Sequence, residues 1–155
     1  MKPNVIVFFT DQQRSDTTGA GGNPCGLTPN FDRVAFTGTY ASTAVTPQPV
    51  CGPARAVLQT GKYATCTGNY RNAIPLGRDQ RTMAHYFHDA GYDTAYIGKW
   101  HLASGRHEVQ KEERGGYDWW LGANALEATS RPYDTLVYDN ENRPGKLPGH
   151  RIDAL

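Results

Sequence analysis

The residue types best suited to chemistry fall into three short clusters of this 155-residue sequence. In the first cluster, Asp11 and Gln12 follow an apolar run, and their carboxylate and amide oxygens are hard donors suited to Ca²⁺ or Mg²⁺. Two oxygen donors do not complete a metal site, so further ligands must come from elsewhere. The alternative is that Asp11 caps a turn and Gln12 is solvated.

The second cluster is the segment Cys51-Gly52-Pro53-Ala54-Arg55. Pro53 favours the start of a helix, and the free backbone N–H groups at a helix start attract an anion. Arg55 follows Cys51 by about one helical turn, so its forked guanidinium can reach the same place. The alternative is a helix start that carries an idle thiol and a surface arginine.

The third cluster is Gly98-Lys99-Trp100-His101. At strand spacing, Lys99 and His101 point to one side of the strand and Trp100 points to the other. A lysine and a histidine aimed at one point form an anion clamp, and the histidine can also transfer a proton. The alternative is a solvent-facing lysine beside a hydrogen-bonded histidine.

Alternating strand and helix patterns around these clusters predict an α/β fold with a mainly parallel sheet flanked by helices. Because ligand sites lie beyond the carboxyl ends of parallel strands, the three clusters would converge on one edge of that sheet. The last fifteen residues show no closing element. The predicted strands are Asn4–Thr10, Thr39–Val45, Thr94–Ile97 and Thr135–Tyr138, and the predicted helices run from Thr28-Pro29 to Gly38, from Pro53 or Ala54 to about Gly61, and from about Gln80 to Ala90.

Composition excludes several classes of function. The net charge is +1, with 38% hydrophobic and 20% charged residues, so nothing in the charge favours nucleic acid as a partner. No apolar stretch reaches the roughly 20 residues that span a membrane, and no signal-peptide core is visible. As written, the chain is expected to be cytoplasmic, or periplasmic or secreted if a leader was removed. Its three cysteines fit neither a zinc ribbon nor a redox pair.

Two longer motifs contain the second and third clusters. The segment from Cys51 to Gly61 resembles the first signature of the type I, formylglycine-dependent sulfatases of the alkaline phosphatase superfamily, C-x-P-S/A-R followed by L-x-T-G. The segment from Gly91 to Leu102 resembles their second signature, G-Y-x-T-x-x-x-G-K-W-H. Two long motifs in the correct order make the resemblance specific.

The resemblance implies an alkaline-phosphatase-like α/β sandwich and a sulfuric ester hydrolase. Cys51 would be oxidised by a maturation enzyme to Cα-formylglycine, whose hydrate attacks sulfur. Arg55 would stabilise that hydrate, Lys99 would hold a sulfate oxygen, and His101 would assist proton transfer. Asp11, Gln12 and the modified Cys51 would ligate a divalent cation, most often Ca²⁺, with Mg²⁺ or Mn²⁺ as alternatives. The substrate would be a small-molecule or carbohydrate sulfate ester.

Two features qualify the resemblance. Gln12 stands where many members have Asp, and relatives with Gln include phosphonate monoester and phosphodiester hydrolases, so that activity is an alternative. Family members run to several hundred residues, so residues 1–155 are expected to be the N-terminal part of a single catalytic domain that turns over little alone. A non-catalytic remnant is a further alternative. Four residues could line a sugar- or aryl-binding cleft, with core packing favoured for the tryptophans: His107, Tyr117, Trp119 and Trp120.

Overall fold

A computed structural model describes residues 2–151 of the chain. The chain divides into two compact units between Val45 and Thr46, and each is described by itself. None of the helices among the described residues is long and apolar enough to cross a membrane.

The first unit is organised around helix α1 (Pro29–Thr37), which confirms the predicted helix. Gly38 ends the helix and donates its N–H to the carbonyl of Val34 at 2.9 Å. Thr28 does not cap the helix with its side chain; its hydroxyl instead bonds the Asp32 carboxylate at 3.1 Å. The same carboxylate accepts the N–H of Ala20 at 2.9 Å, so α1 holds the preceding loop in place.

The two strands predicted for this unit, Asn4–Thr10 and Thr39–Val45, are wrong for the structure described. Both segments lack regular secondary structure, and the apolar residues Val5 to Phe9 are exposed. A strand needs a neighbouring strand to satisfy its backbone groups. Residues 2–45 offer none, because their regular elements are a 3₁₀ turn (Ser15–Thr17) and α1.

The named helices of the second unit, within residues 46–151, are α2 (Cys51–Thr60), α3 (Ala64–Thr67), α4 (Met83–Asp89), α5 (Leu126–Thr129) and a 3₁₀ turn (Lys111–Glu113). Helix α2 begins at Cys51 itself, earlier than predicted, and ends at Gly61 in the left-handed conformation. Helix α4 is shorter than predicted because Thr82 and His85 form a capping box at its start.

A four-stranded sheet completes this unit, with β1 (Ala95–Lys99), β2 (Trp119–Ala123), β3 (Thr135–Tyr138) and β4 (Pro144–Leu147) in that order. The α/β class is confirmed. The described sheet is mixed, since β1 and β2 are parallel while the β2–β3 and β3–β4 pairs are antiparallel. Strand β4 is a closing element that the sequence did not predict. Its Pro144 and Gly145 disfavour strands, and Pro144 is tolerated because β4 lies at the sheet edge.

The core lies on one face of the sheet and is built on Trp100, Leu102, Val109 and Trp120. The ring of Tyr96 lies 4.9 Å edge-on from Trp100 and 5.0 Å stacked on Trp120. Core packing is therefore confirmed for Trp120. The same prediction is wrong for Trp119, the preceding residue of β2, because alternate strand residues face opposite sides of a sheet and Trp119 is exposed.

Asp118 joins the start of β2 to the start of β1. Its Oδ2 accepts the backbone N–H of Thr94 at 2.9 Å and the Thr94 hydroxyl at 2.8 Å, and these bonds lower the pKa of the carboxyl. A lowered pKa means that the ionised carboxylate stabilises the fold above the usual carboxyl range and that this contribution disappears as the pH falls through the folded-state pKa.

We therefore expect Asp118→Ala to lower the free energy of unfolding by about 1 kcal/mol near neutral pH, with a smaller effect in acid. Urea unfolding at about pH 7 and about pH 3 measures both values. Asp93→Ala, which removes an exposed carboxylate from the same connection, is the matched control. A difference between the two variants that does not shrink in acid would contradict the prediction.

Candidate functional site

Cys51 and Arg55 both lie on the first two turns of α2. Cys51 is the first residue of the helix and is half-buried. Arg55 is only 7% exposed, and its Nη1 donates to the backbone carbonyl of Lys99 at 2.6 Å. The Tyr96 hydroxyl donates to the same carbonyl. Arg55 therefore joins the cysteine-bearing helix to the carboxyl end of β1, and it is not a surface arginine.

The backbone N–H groups at the start of α2 were expected to be free to bind an anion, but two of them already have hydrogen-bond partners. The N–H of Gly52 donates to Asn72 Oδ1 at 2.8 Å, and the N–H of Ala54 donates to the carbonyl of Val50 at 2.9 Å. Pro53 has no N–H. The expectation was wrong because the side chain of Asn72 and the preceding carbonyl satisfy these donors. The N–H groups of Gly52 and Ala54 are therefore not free to hold an anion beside Cys51.

Gly52 allows other segments to approach the start of α2 closely. A Cβ atom at this position would lie 3.1 Å from Asn72 Oδ1 and 3.4 Å from the carbonyl oxygen of His101. The segment after β1 therefore packs directly against the turn that carries Cys51. The second and third clusters of the sequence meet at this contact.

The chain turns after β1, and the side chain of Trp100 lies in different surroundings from those of its two neighbours in the sequence. Trp100 is buried in the core, whereas Lys99 and His101 both approach Glu127. His101 has a φ of 60°, an uncommon conformation for a non-glycine residue. Its N–H donates to the carbonyl of Asn124 at 2.8 Å, which fixes this conformation. Lys99 and His101 thus face the same carboxylate, although His101 reaches it from a turn beyond β1 and not by the strand alternation that the sequence predicted.

Glu127 is the residue of this cluster that the sequence did not reveal. Its Oε2 lies 3.0 Å from Lys99 Nζ, and its Oε1 lies 3.9 Å from His101 Nδ1. Partial burial raises the pKa of the Glu127 carboxyl, but hydrogen bonds from its own backbone and from Lys99, with the nearby positive charges, lower it overall. The carboxylate is therefore ionised at neutral pH. A single glutamate in a four-residue helix carries no motif that could have predicted this contact.

Asp11 and Gln12 belong to the first unit and are exposed. Asp11 Oδ1 accepts the backbone N–H of the next residue, Gln12, at 3.0 Å. Across residues 2–151, no group of three or more His, Cys, Asp or Glu side chains is arranged to hold a metal ion. The two oxygen donors are chemically suited to a hard cation and too few to hold one alone.

The second unit thus packs the end of β1, which carries the ammonium of Lys99 and the imidazole of His101, against the helix that carries the Cys51 thiol and the Arg55 guanidinium. Such a set is suited to a small tetrahedral oxyanion near a reactive group at position 51. Arg55 and Lys99 have fixed positions because each is largely buried and bonded to a neighbouring element. Fixed donors bind a developing negative charge without reorganisation.

Comparison with known proteins points to one family. The family model described as Sulfatase matches residues 3–149. The chain is 42% identical over 151 residues to an ulvan-active sulfatase of Formosa agariphila, covering 96% of this chain and 29% of that protein. It is 35% identical over 119 residues to an N-acetylglucosamine-6-O-sulfatase of Bacteroides thetaiotaomicron, covering 77% of this chain and 20% of that protein.

A solved structure agrees with these sequence comparisons. The structure of a protein in complex with its substrate, D-glucosamine-2-N,6-O-disulfate, superposes with a TM-score of 0.76 and 32% identity, covering 99% of this chain and 29% of that chain. The chain therefore spans less than a third of the length of these relatives. The similarity extends over both sequence motifs and over the α/β fold described above.

Proposed function

The chain belongs to the sulfatase family, and from that premise we propose that it forms the N-terminal part of a catalytic domain that hydrolyses sulfate esters. The family model matches residues 3–149, and the chain covers only a small part of the length of each relative. Both observations support assigning residues 1–155 to one incomplete domain. The observation that carries the proposal is the contact between the start of α2 and the end of β1, which unites Cys51, Arg55, Lys99 and His101.

Cys51 would serve as the precursor of the nucleophile. A maturation enzyme, using an external two-electron oxidant, would convert its CH₂SH group to the aldehyde of Cα-formylglycine with loss of the sulfur as sulfide. One hydroxyl of the hydrated aldehyde would attack the ester sulfur and expel the alcohol, and deprotonation of the other hydroxyl would then expel sulfate and regenerate the aldehyde. Cys51 is the first residue of α2 and is only partly buried, which is compatible with access of a maturation enzyme and of a substrate. The helix itself would then orient the group toward the cationic side chains.

Arg55, Lys99 and His101 would each act on the substrate or on the modified side chain at position 51. Arg55 lies one turn after Cys51 and would orient the hydroxyls of the hydrate. Lys99 would bind a sulfate oxygen and offset the charge that grows on it in the transition state. His101 would hold or move a proton at the hydroxyl during release of sulfate. The burial of Arg55 and Lys99 supports these roles because it strengthens their electrostatic effect.

Asp11 and Gln12 would hold a divalent cation, Ca²⁺ or alternatively Mg²⁺ or Mn²⁺. Their oxygen donors fit such a cation, whereas the soft thiol sulfur of Cys51 does not, so position 51 becomes a suitable ligand only after conversion to an oxygen-bearing group. The cation would supply Lewis-acid stabilisation of the sulfate charge. The remaining ligands would come from residues of the longer protein.

The substrate class would be a carbohydrate sulfate ester. The relatives named above include an ulvan-active sulfatase, an N-acetylglucosamine-6-O-sulfatase and a protein bound to a disulfated glucosamine. Gln12 favours one alternative, a phosphonate monoester or phosphodiester hydrolase with the same nucleophile. The ratio of kcat/KM for aryl sulfate and aryl phosphonate esters would distinguish the two activities.

The first test is the mass of the tryptic peptide from Val34 to Arg55. The protein should be produced from its full gene in a host that contains a formylglycine-generating enzyme. We expect the peptide mass to fall by the difference between CH₂SH and CHO, because the motif around Cys51 is the substrate of that enzyme. The peptides that contain Cys25 and Cys66 are internal controls and should keep their thiols. An unmodified Cys51 in a host that modifies a known sulfatase would favour a non-catalytic, anion-binding remnant.

A further inference from the structure

We propose that Glu127 is a positioning residue for Lys99 and His101, and that its carboxylate fixes the ammonium and the imidazole at the end of β1, which packs against the start of α2. The inference rests on the proposed function for its catalytic consequence. The pairing itself can be tested without any assumption about the reaction.

The carboxylate of Glu127 uses its two oxygens for two different partners. Oε2 lies 3.0 Å from Lys99 Nζ, and Oε1 lies 3.9 Å from His101 Nδ1. The side chains of Lys99 and His101 are 8% and 14% exposed, whereas that of Glu127 is 47% exposed. Glu127 therefore covers the two inner groups from the solvent side. A long lysine side chain has many rotamers, and this ion pair selects one of them.

The segment that carries Glu127 also holds the backbone of His101. The carbonyl of Asn124 accepts the His101 N–H at 2.8 Å, and the Asn124 side chain bonds both the N–H and the carbonyl of Ala103. Three residues later, Glu127 reaches the His101 ring. The connection from β2 to α5 thus contacts the histidine at its backbone and at its side chain, and it maintains the unusual φ of 60°.

This arrangement is compatible with binding of an anion by the same lysine. An ammonium has three N–H donors, so a bond to Glu127 permits another to a sulfate oxygen. The negative charge of Glu127 near His101 Nδ1 favours a proton on that nitrogen, which leaves Nε2 as the nitrogen for proton transfer. The negative charge of Glu127 also repels a bound sulfate. Its removal should therefore weaken positioning while easing binding of the anion in the ground state.

The pairing is tested by pulse labelling of lysines with acetic anhydride, read by mass spectrometry on the protein made from its full gene. We expect Glu127→Gln to raise the labelling rate of Lys99 about fivefold, because the amide cannot hold the ammonium as an ion pair. Lys62 and Lys111, which are exposed, are internal references. Glu141→Gln, an exposed carboxylate that pairs with Arg143, is the matched control and should leave Lys99 unchanged. An unchanged labelling rate at Lys99 in the Glu127 variant would overturn the proposal.

The positioning role is tested by steady-state kinetics on the matured protein. We expect Glu127→Gln to lower kcat about tenfold while KM stays equal or falls, and Glu127→Asp to recover part of kcat. Loss of a purely structural contact would change thermal stability without this division between kcat and KM. An unchanged kcat in a variant whose Lys99 labels faster would refute the positioning role.

Two further outcomes are decided by the same measurements. If the Glu127→Gln variant unfolds, all of its lysines will label faster. The labelling rate of Lys99 in Glu127→Asp, compared with the rates of the other lysines, then tests the pairing. If the matured wild-type protein hydrolyses no sulfate ester, the proposed function fails, while the labelling result still decides whether Glu127 holds Lys99.

Discussion

Replacement of Cys51 by alanine in the matured protein will reduce sulfate ester hydrolysis by at least about a thousandfold, because the variant has no group from which the nucleophile can be made. The residual positive cluster of Arg55, Lys99 and His101 would still bind an anion, so the loss should appear in kcat. Alanine is a good helix former and position 51 is only half-buried. We therefore expect the thermal stability of the variant to stay close to that of the parent protein.

The matched control is Cys66→Ala, which removes an exposed cysteine from the second unit. It should retain full activity, since Cys66 lies at the end of α3 and outside the cluster at the start of α2. The measurement is turnover of an aryl sulfate ester and of a sulfated monosaccharide under identical conditions. Turnover by the Cys51 variant within tenfold of the parent would rule out position 51 as the origin of the nucleophile.

The parts of the site that could be predicted from sequence lie within short contiguous motifs. Cys51 and Arg55 are one helical turn apart, and Lys99 and His101 are near neighbours at the end of β1, so short spacing in the sequence alone relates each pair. The meeting of the two pairs depends on Arg55 reaching the Lys99 carbonyl across 44 positions of sequence. The expectation that ligand sites lie at the carboxyl ends of parallel strands predicted that the two pairs converge, and the family motifs agreed, but neither predicted this particular bond.

Glu127 and Asn72 could not be predicted because neither belongs to a periodic or motif pattern. Glu127 reaches Lys99 through the connection from β2 to α5, and Asn72 reaches Gly52 from a loop. Such contacts depend on where a loop is placed by tertiary packing. The same reason explains why β4 was missed, since its pairing with β3 overrides the weak strand propensity of Pro144 and Gly145.

For the segment Asn4–Thr10, the sequence predicted a strand that the structure does not contain. Its β-branched and aromatic residues indicate a buried strand, yet local propensity cannot provide the neighbouring strands that a buried strand requires. In the first unit, residues 2–45 contain no strand with which it could pair. Propensity predicted the type of element correctly only where the partner strand was also present, as for β1 and β3.

Trp100 links the candidate site to the core. It stands between Lys99 and His101 in the sequence, and its side chain is buried in the core. Its ring lies 4.9 Å from Tyr96, 5.5 Å from Trp120 and 6.1 Å from Tyr117, each in an edge-on arrangement. Aromatic pairs of this kind add to the burial of apolar area. The position of the two functional side chains is therefore set by the packing of the residue between them.

We expect Trp100→Ala to lower the free energy of unfolding by about 3–5 kcal/mol, because it removes the largest fully buried side chain and leaves a cavity among the surrounding rings. Trp119→Ala is the matched control: Trp119 is 63% exposed, so its loss should cost less than about 1 kcal/mol. Urea unfolding followed by far-ultraviolet circular dichroism measures both variants on the same protein. Loosening of this core should also release the lysine next to it, so Lys99 should label faster with acetic anhydride in Trp100→Ala than in Trp119→Ala even where both remain folded. Equal stability of the two variants would show that the ring of Trp100 does not anchor the end of β1.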